Sequence, residues 1–171
     1  MASIKRHLSA WLPVAFWLCV IAFESTDMMS SEHTGHWLYA FIRSIFGPVN
    51  PQYFEIFHFF LRKAGHFVGY GILSLLCLRA LRMTFVSTLL RFSAAAIAFT
   101  AAVASLDEWH QSFIPSRTGT AHDVLLDTFA AICAQVAVAL ILRNQSRLAD
   151  LSPVPCLTSP ENGKIRRRRS L

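Results

Sequence analysis

The sequence predicts an all-α, polytopic membrane helix bundle with four transmembrane helices and both termini cytoplasmic. Three observations predict it. Hydrophobic residues make up 54% of the chain and charged residues only 15%, against about 25% charged in soluble domains. Four apolar runs, residues 8–23, 67–81, 92–106 and 121–142, alternate with polar connections. The basic residues are placed unevenly. Of the 16 Lys and Arg, 12 lie in the lead (Lys5, Arg6), in or beside the short central connection (Arg79, Arg82, Arg91) and in the tail (Arg143, Arg147, Lys164, Arg166, Arg167, Arg168, Arg169). Four spans put those segments on one side, which the positive-inside rule makes the cytoplasm. With 171 residues the chain holds one domain, drawn as 1–147, and a disordered basic tail at 148–171.

The elements follow in order. Residues 8–23 come after a basic lead, as in a signal peptide. The exit Ala22-Phe23-Glu24-Ser25 lacks the small-x-small pattern of cleavage, so an uncleaved first helix is expected. It is short against the roughly 20 residues that span a bilayer, with Trp11 and Trp17 as interfacial anchors. Residues 24–52 form a long polar-to-mixed connection, broken at Gly47-Pro48 and Asn50-Pro51. Within it, residues 37–46 read either as a helix in the membrane interface or as a short helix capping the bundle. Residues 52–61 lead into the second span. Along that span Lys63, His66, Tyr70, Ser74 and Cys77 fall at helical spacing on one face, which should point into the bundle. The third span carries small residues at Ala94, Ala98, Ala101 and Ser105, a face that ends at Glu108. The fourth carries Asp123 and Asp127 near its start, Gln135 in its middle and a stripe of Ala130, Ala134 and Ala137. From Arg143 the pattern fails, and the arginine-rich end is expected near an anionic membrane surface.

Polar chemistry is concentrated in two blocks. Residues 107–127 hold Asp107, Glu108, His110, Gln111, Arg117, His122, Asp123 and Asp127 between two apolar spans. Lys63, His66 and Tyr70 form the answering cluster. The topology places both outside the cytoplasm, on one membrane face. Carboxylates at a membrane boundary need partners or a task. Thr120 and Asp123 fit a capping box at the start of the fourth helix. Asp127 lies a turn too deep for that, so Arg117, Lys63 or His66 should pair with it. A purely structural ion-pair network would also account for the cluster.

Three functional readings fit these residues. Lys63 and Arg117 can donate to an anionic head group, with Lys63, His66, Tyr70, Asp107, Glu108, Gln111, Arg117, Asp123 and Asp127 as the binding set. His66, Asp107 or Glu108 can serve as general acid or base on a lipid-linked substrate, so enzymatic activity stays open. A divalent ion on His66, Asp107, Glu108 and Asp123 is chemically suitable, but no H-E-x-x-H-like spacing supports it. No metal and no cofactor is therefore expected. The cysteines lie mostly in apolar runs and give no zinc-type pairing.

The two blocks also carry a resemblance. Lys63-Ala64-Gly65-His66-Phe67-x-x-Tyr70-x-x-Leu73 resembles the K-x-x-H-F-x-x-Y-x-x-L signature of VanZ-like membrane proteins. Asp107-Glu108-Trp109-His110-Gln111-x-Phe113-Ile114-Pro115-x-Arg117 with Asp123-x-x-x-Asp127 is similar to that family's second signature. Helix layout extends the likeness over residues 8–143. One departure is visible, because alanine stands at 130 and 131 where the family often has glycine after the last acid. The family's namesake is associated with low-level resistance to the glycopeptide teicoplanin. The resemblance therefore implies an integral, multi-pass protein of the bacterial inner (plasma) membrane, serving the cell envelope. Its implied partners are membrane lipids, a lipid-linked envelope precursor or the glycopeptide, and no nucleic acid. A structural or assembly role is the remaining alternative.

Overall fold

The computed structural model describes residues 2–151 apart from Ser116 and Thr118. Five α-helices and one 3₁₀ turn make up the described chain: α1 (Ala2–Glu24), the turn Asp27–Met29, α2 (Ser31–Phe46), α3 (Pro51–Thr84), α4 (Leu89–Gln111) and α5 (Ala121–Leu151). Helices α1, α3, α4 and α5 are each long and apolar enough to cross a membrane. Large apolar side chains such as Phe16, Phe60, Val68, Leu106, Leu125 and Leu140 stand exposed on them. In a membrane this outward surface meets lipid tails at no hydrophobic cost.

Helix α3 is the axis of the bundle and packs against α1, α4 and α5, while α4 also packs against α5. Residues 52–61 belong to this same helix, so the expected lead-in is its first three turns. Asn50 caps it, its side chain accepting from the Gln52 N–H at 2.9 Å, and Pro51 occupies the first turn, where a missing N–H costs nothing. At about 1.5 Å per residue, its 34 residues reach about 51 Å, past the roughly 30 Å of hydrocarbon. Counting about 20 residues back from Thr84 brings the hydrocarbon boundary close to Gly65. The helix is thus longer than a single span requires, with its aromatic first turns in excess.

Helix α1 runs longer than its apolar stretch because the basic lead is helical as well. Its two tryptophans both bond to α3. Trp11 Nε1 donates to Thr84 Oγ1 at 3.1 Å, and Trp17 Nε1 donates to the Gly69 carbonyl at 2.8 Å. A buried indole N–H needs such an acceptor. Pro13 lies inside α1 and removes the bond that would reach the Ser9 carbonyl. Arg79 Nη1 of α3 takes that carbonyl at 3.4 Å. Replacing Pro13 by alanine restores the helical donor, so Arg79→Ala should cost about 0.5–1 kcal/mol less in that background than in the parent chain. A double-mutant cycle on thermal unfolding in detergent reads this coupling.

The α4 face that packs is Ala96, Thr100, Ala104 and Glu108, all buried. Ala94, Ala98 and Ser105, expected there, are exposed, and Ala101 is half-buried. In a helix that is apolar all round, hydrophobicity does not mark the packed face, and small residues occur on several faces. On α5 the packed residues are Asp127, Ala130, Ala131 and Gln135. Ala134 is half-buried and Ala137 is exposed. Gln135 Nε2 donates to the Ser74 carbonyl at 3.0 Å and to Ser74 Oγ at 2.8 Å, tying α5 to α3 at mid-depth. Helix α5 continues past Arg143 to Leu151, and the rest of the basic tail, with Cys156, lies outside the described residues.

Helix α2 shows a stripe of Trp37, Phe41 and Ile45 at i, i+4 and i+8, all exposed, with the first two rings stacked at 5.8 Å. It starts with Ser30 as its cap and stops at Gly47, whose φ of 81° suits glycine. Residues 37–46, expected as a short helix of either kind, form the later part of α2.

Candidate functional site

The two polar blocks meet at one end of the bundle, because α3 enters there, α4 ends there and α5 begins there. Lys63 pairs with Asp123 across α3 and α5. One turn deeper, His66 Nδ1 lies 3.4 Å from Asp127 Oδ2. The next turn places Tyr70, whose hydroxyl donates to Asp107 Oδ2 at 2.7 Å, and Gln111 Nε2 donates to the same oxygen at 3.1 Å. Three rungs therefore stack down α3, each answered by an acid on α4 or α5. His66 is the Asp127 partner among the three that the sequence left open.

Asp123 does not close a capping box. Its carboxylate is taken by Lys63, and the Thr120 N–H that it would have reached donates to Glu108 Oε2 at 2.8 Å instead. Glu108 thus serves the start of α5 from the end of α4, an anion placed at a helix N-terminus. The turn between them is tight. A Cβ on Gly119 would overlap the Glu108 carbonyl oxygen and come within 3.1 Å of the Ser112 nitrogen.

Arg117 closes the site from the α4–α5 connection. It is 9% exposed, and its Nη2 donates to the carbonyls of Glu24 at 2.5 Å and Thr26 at 3.0 Å. The Glu24 carbonyl is an orphan acceptor where α1 ends, and the Thr26 carbonyl also accepts from the Met29 N–H at 3.2 Å. Burial pushes the guanidinium down from its ordinary value, while the carboxylates of Asp107, Glu108, Asp27 and Glu24 hold it up. It stays charged at any physiological pH. His110, although exposed, reaches Ser25 Oγ from Nδ1 at 3.1 Å, whereas His122 is exposed.

Three connected hollows open on this end. A cleft of about 620 Å³ is walled by Met28, Met29, Trp37, Leu38 and Leu61, with His58, Arg62, His66 and Arg117 at its polar side. A second hollow of about 360 Å³ shares those four polar residues and adds Lys63, Gln111, Asp123 and Glu55. A small one of about 20 Å³ reaches Tyr70 and Asp107. His66 borders all three. Of the nine residues named from sequence, seven line these hollows. Glu108 and Asp127 lie behind them, so the nine share one end of the bundle but not one cavity wall.

Residues 10–142 match the sequence model of the VanZ/LLP1 family. The chain belongs to the VanZ/LLP1 family. No curated protein and no solved structure matches it. In this VanZ/LLP1 chain the alanines that replace the expected glycine, Ala130 and Ala131, are 1% and 0% exposed. A Cβ added to Gly71 of α3 would stand 3.9 Å from the Ala130 carbonyl, an ordinary contact.

Sequence reasoning missed two residues of the VanZ/LLP1 site. Arg62 is half-buried, donates from Nη1 to the Met29 carbonyl at 3.1 Å and lines both larger hollows. His58 is buried, with Nε2 3.3 Å from Thr34 Oγ1. A signal was present, since His58, Arg62 and His66 recur every four residues. It was hidden by the aromatic run around His58, which reads as an apolar lead-in.

Proposed function

We propose that the chain binds the anionic head group of a cell-envelope lipid or lipid-linked precursor at the extracytoplasmic face of the bacterial inner membrane. One observation carries the proposal. Arg62, Lys63 and Arg117 line a hollow that opens into a cleft walled by methionine, tryptophan and leucine. Arg62 and Arg117 give their described hydrogen bonds to neutral carbonyls, so an anion entering here competes for them with the nearby carboxylates and not with a described carboxylate hydrogen bond. The apolar wall suits the attached chain, and the exposed apolar stripe of α2 supports a place for this end at membrane-surface depth. Both termini then lie in the cytoplasm, in keeping with the basic residues. A role in glycopeptide resistance follows only where the bound lipid is a precursor that the antibiotic recognises.

The test is lipid retention by the detergent-purified chain, read by native mass spectrometry against phosphatidylglycerol and phosphatidylcholine. The parent chain should prefer the anionic lipid. Combined Arg62→Gln and Lys63→Gln should reduce that preference about tenfold, the worth of one charge-assisted contact. Equal retention of both lipids by the parent chain would refute the proposal.

A further inference from the structure

We propose that His66, Glu108 and Asp127 form a binding site for one divalent first-row transition ion such as Zn²⁺ or Mn²⁺. The three come from α3, α4 and α5, and each offers a ligand atom, all within 4.8 Å of one another. Glu108 is 5% exposed and Asp127 0%. Glu108 is anchored through Oε2 by the Thr120 N–H, while Asp127 Oδ2 lies 3.4 Å from His66 Nδ1, a contact that an ion bound to both residues would replace. The other oxygen of each, Glu108 Oε1 and Asp127 Oδ1, is buried without a hydrogen-bond partner. A buried carboxylate oxygen left so is costly, and a cation is the partner it lacks.

The neighbouring cations do not meet that need. Lys63 is engaged by Asp123, and the described hydrogen bonds of Arg117 go to the Glu24 and Thr26 carbonyls. Holding Glu108 Oε2 by the Thr120 N–H orients Oε1, which is how supporting hydrogen bonds prepare metal ligands. Two carboxylates and an imidazole suit Zn²⁺, Mn²⁺ or Fe²⁺ better than Mg²⁺ or Ca²⁺, which favour oxygen alone. Bonds of about 2.0–2.2 Å place ligand atoms some 3.4 Å apart around a tetrahedral ion. Closing from within 4.8 Å asks for side-chain rotations of about 1 Å, with no helix movement. Three protein ligands leave a coordination position open. His66 borders all three hollows, so its ring stands between the cleft and the two carboxylates behind it. The ion would be bound whether or not the cleft takes a lipid.

The chain, carrying no histidine tag, is purified in detergent, stripped with chelator, incubated with Zn²⁺ or Mn²⁺ and desalted. Metal content is then measured by mass spectrometry. The parent chain should hold about one equivalent, and His66→Ala, Glu108→Gln and Asp127→Asn below about 0.2. His122→Ala, an exposed histidine outside the triad, should match the parent. Glu108→Gln keeps a carbonyl acceptor for Thr120, so fold loss is least expected there. Should the variants still fail to fold, calorimetric titration of the parent chain decides. Saturable one-to-one binding supports the site, and its absence overturns it. Equal metal content in folded parent and triad variants overturns it as well.

Discussion

Replacing Arg117 by methionine lowers the stability of the folded chain by about 2–4 kcal/mol, the range for losing two hydrogen bonds from a charged donor. Methionine keeps much of the length and fills the same space, so the effect isolates the guanidinium. The loss falls on two carbonyls, Glu24 and Thr26. Thr26 still accepts from the Met29 N–H at 3.2 Å, whereas no other described donor serves Glu24. Unfolding therefore starts where α1 meets the α4–α5 connection. Arg117→Lys recovers only part of the loss, because an ammonium lacks the planar fork that addresses two acceptors from one side. Thermal unfolding in detergent, followed by the fluorescence of Trp109 beside the connection, measures both variants. A methionine variant within about 0.5 kcal/mol of the parent, the usual range for surface changes, would show that Arg117 does not hold this end together.

Gly119→Ala should be as damaging, for a reason of space alone. The added Cβ meets the Glu108 carbonyl oxygen and the Ser112 nitrogen. Both are backbone atoms, which cannot rotate aside as a side-chain end would. The connection must move, and with it the Thr120 N–H that Glu108 accepts. The expected cost is about 2–4 kcal/mol, from overpacking together with a lost charge-assisted bond. Gly65→Ala supplies the contrast. Nothing lies within 4 Å of a Cβ there, and Gly65 sits inside α3. Alanine at that position should stabilise by about 0.5–1 kcal/mol through helix propensity. Equal midpoints for the two variants in the same unfolding assay would contradict the packing of the connection.

Both residues were visible in the sequence, in the stretch Pro115-Ser116-Arg117-Thr118-Gly119-Thr120, but their structural roles were not. Arg117 suggested an anion donor, and in addition it holds the end of α1, more than ninety residues earlier in the chain. Glu108 suggested an acid, and it also closes the start of α5. Such roles depend on where a loop crosses another helix, which local spacing does not encode. His58 and Arg62 were missed in the opposite way, since their four-residue spacing was present but masked by phenylalanines.

The sequence by itself determined the class of protein, the four long apolar helices and the two polar blocks. Transfer of apolar side chains into lipid is additive along the chain, so hydropathy alone reports it. Spacing on α3 also determined that Lys63, His66 and Tyr70 share a face. Only the tertiary structure decided which acid answers each of them, which face of α4 is packed, and that two carboxylate oxygens are buried without partners. In lipid an apolar helix has no preferred side by hydrophobicity, so facing is set by shape and by hydrogen bonds between helices. For the stretch between α4 and α5, that facing turns a row of acids into one lysine partner, one cap and the triad His66, Glu108 and Asp127.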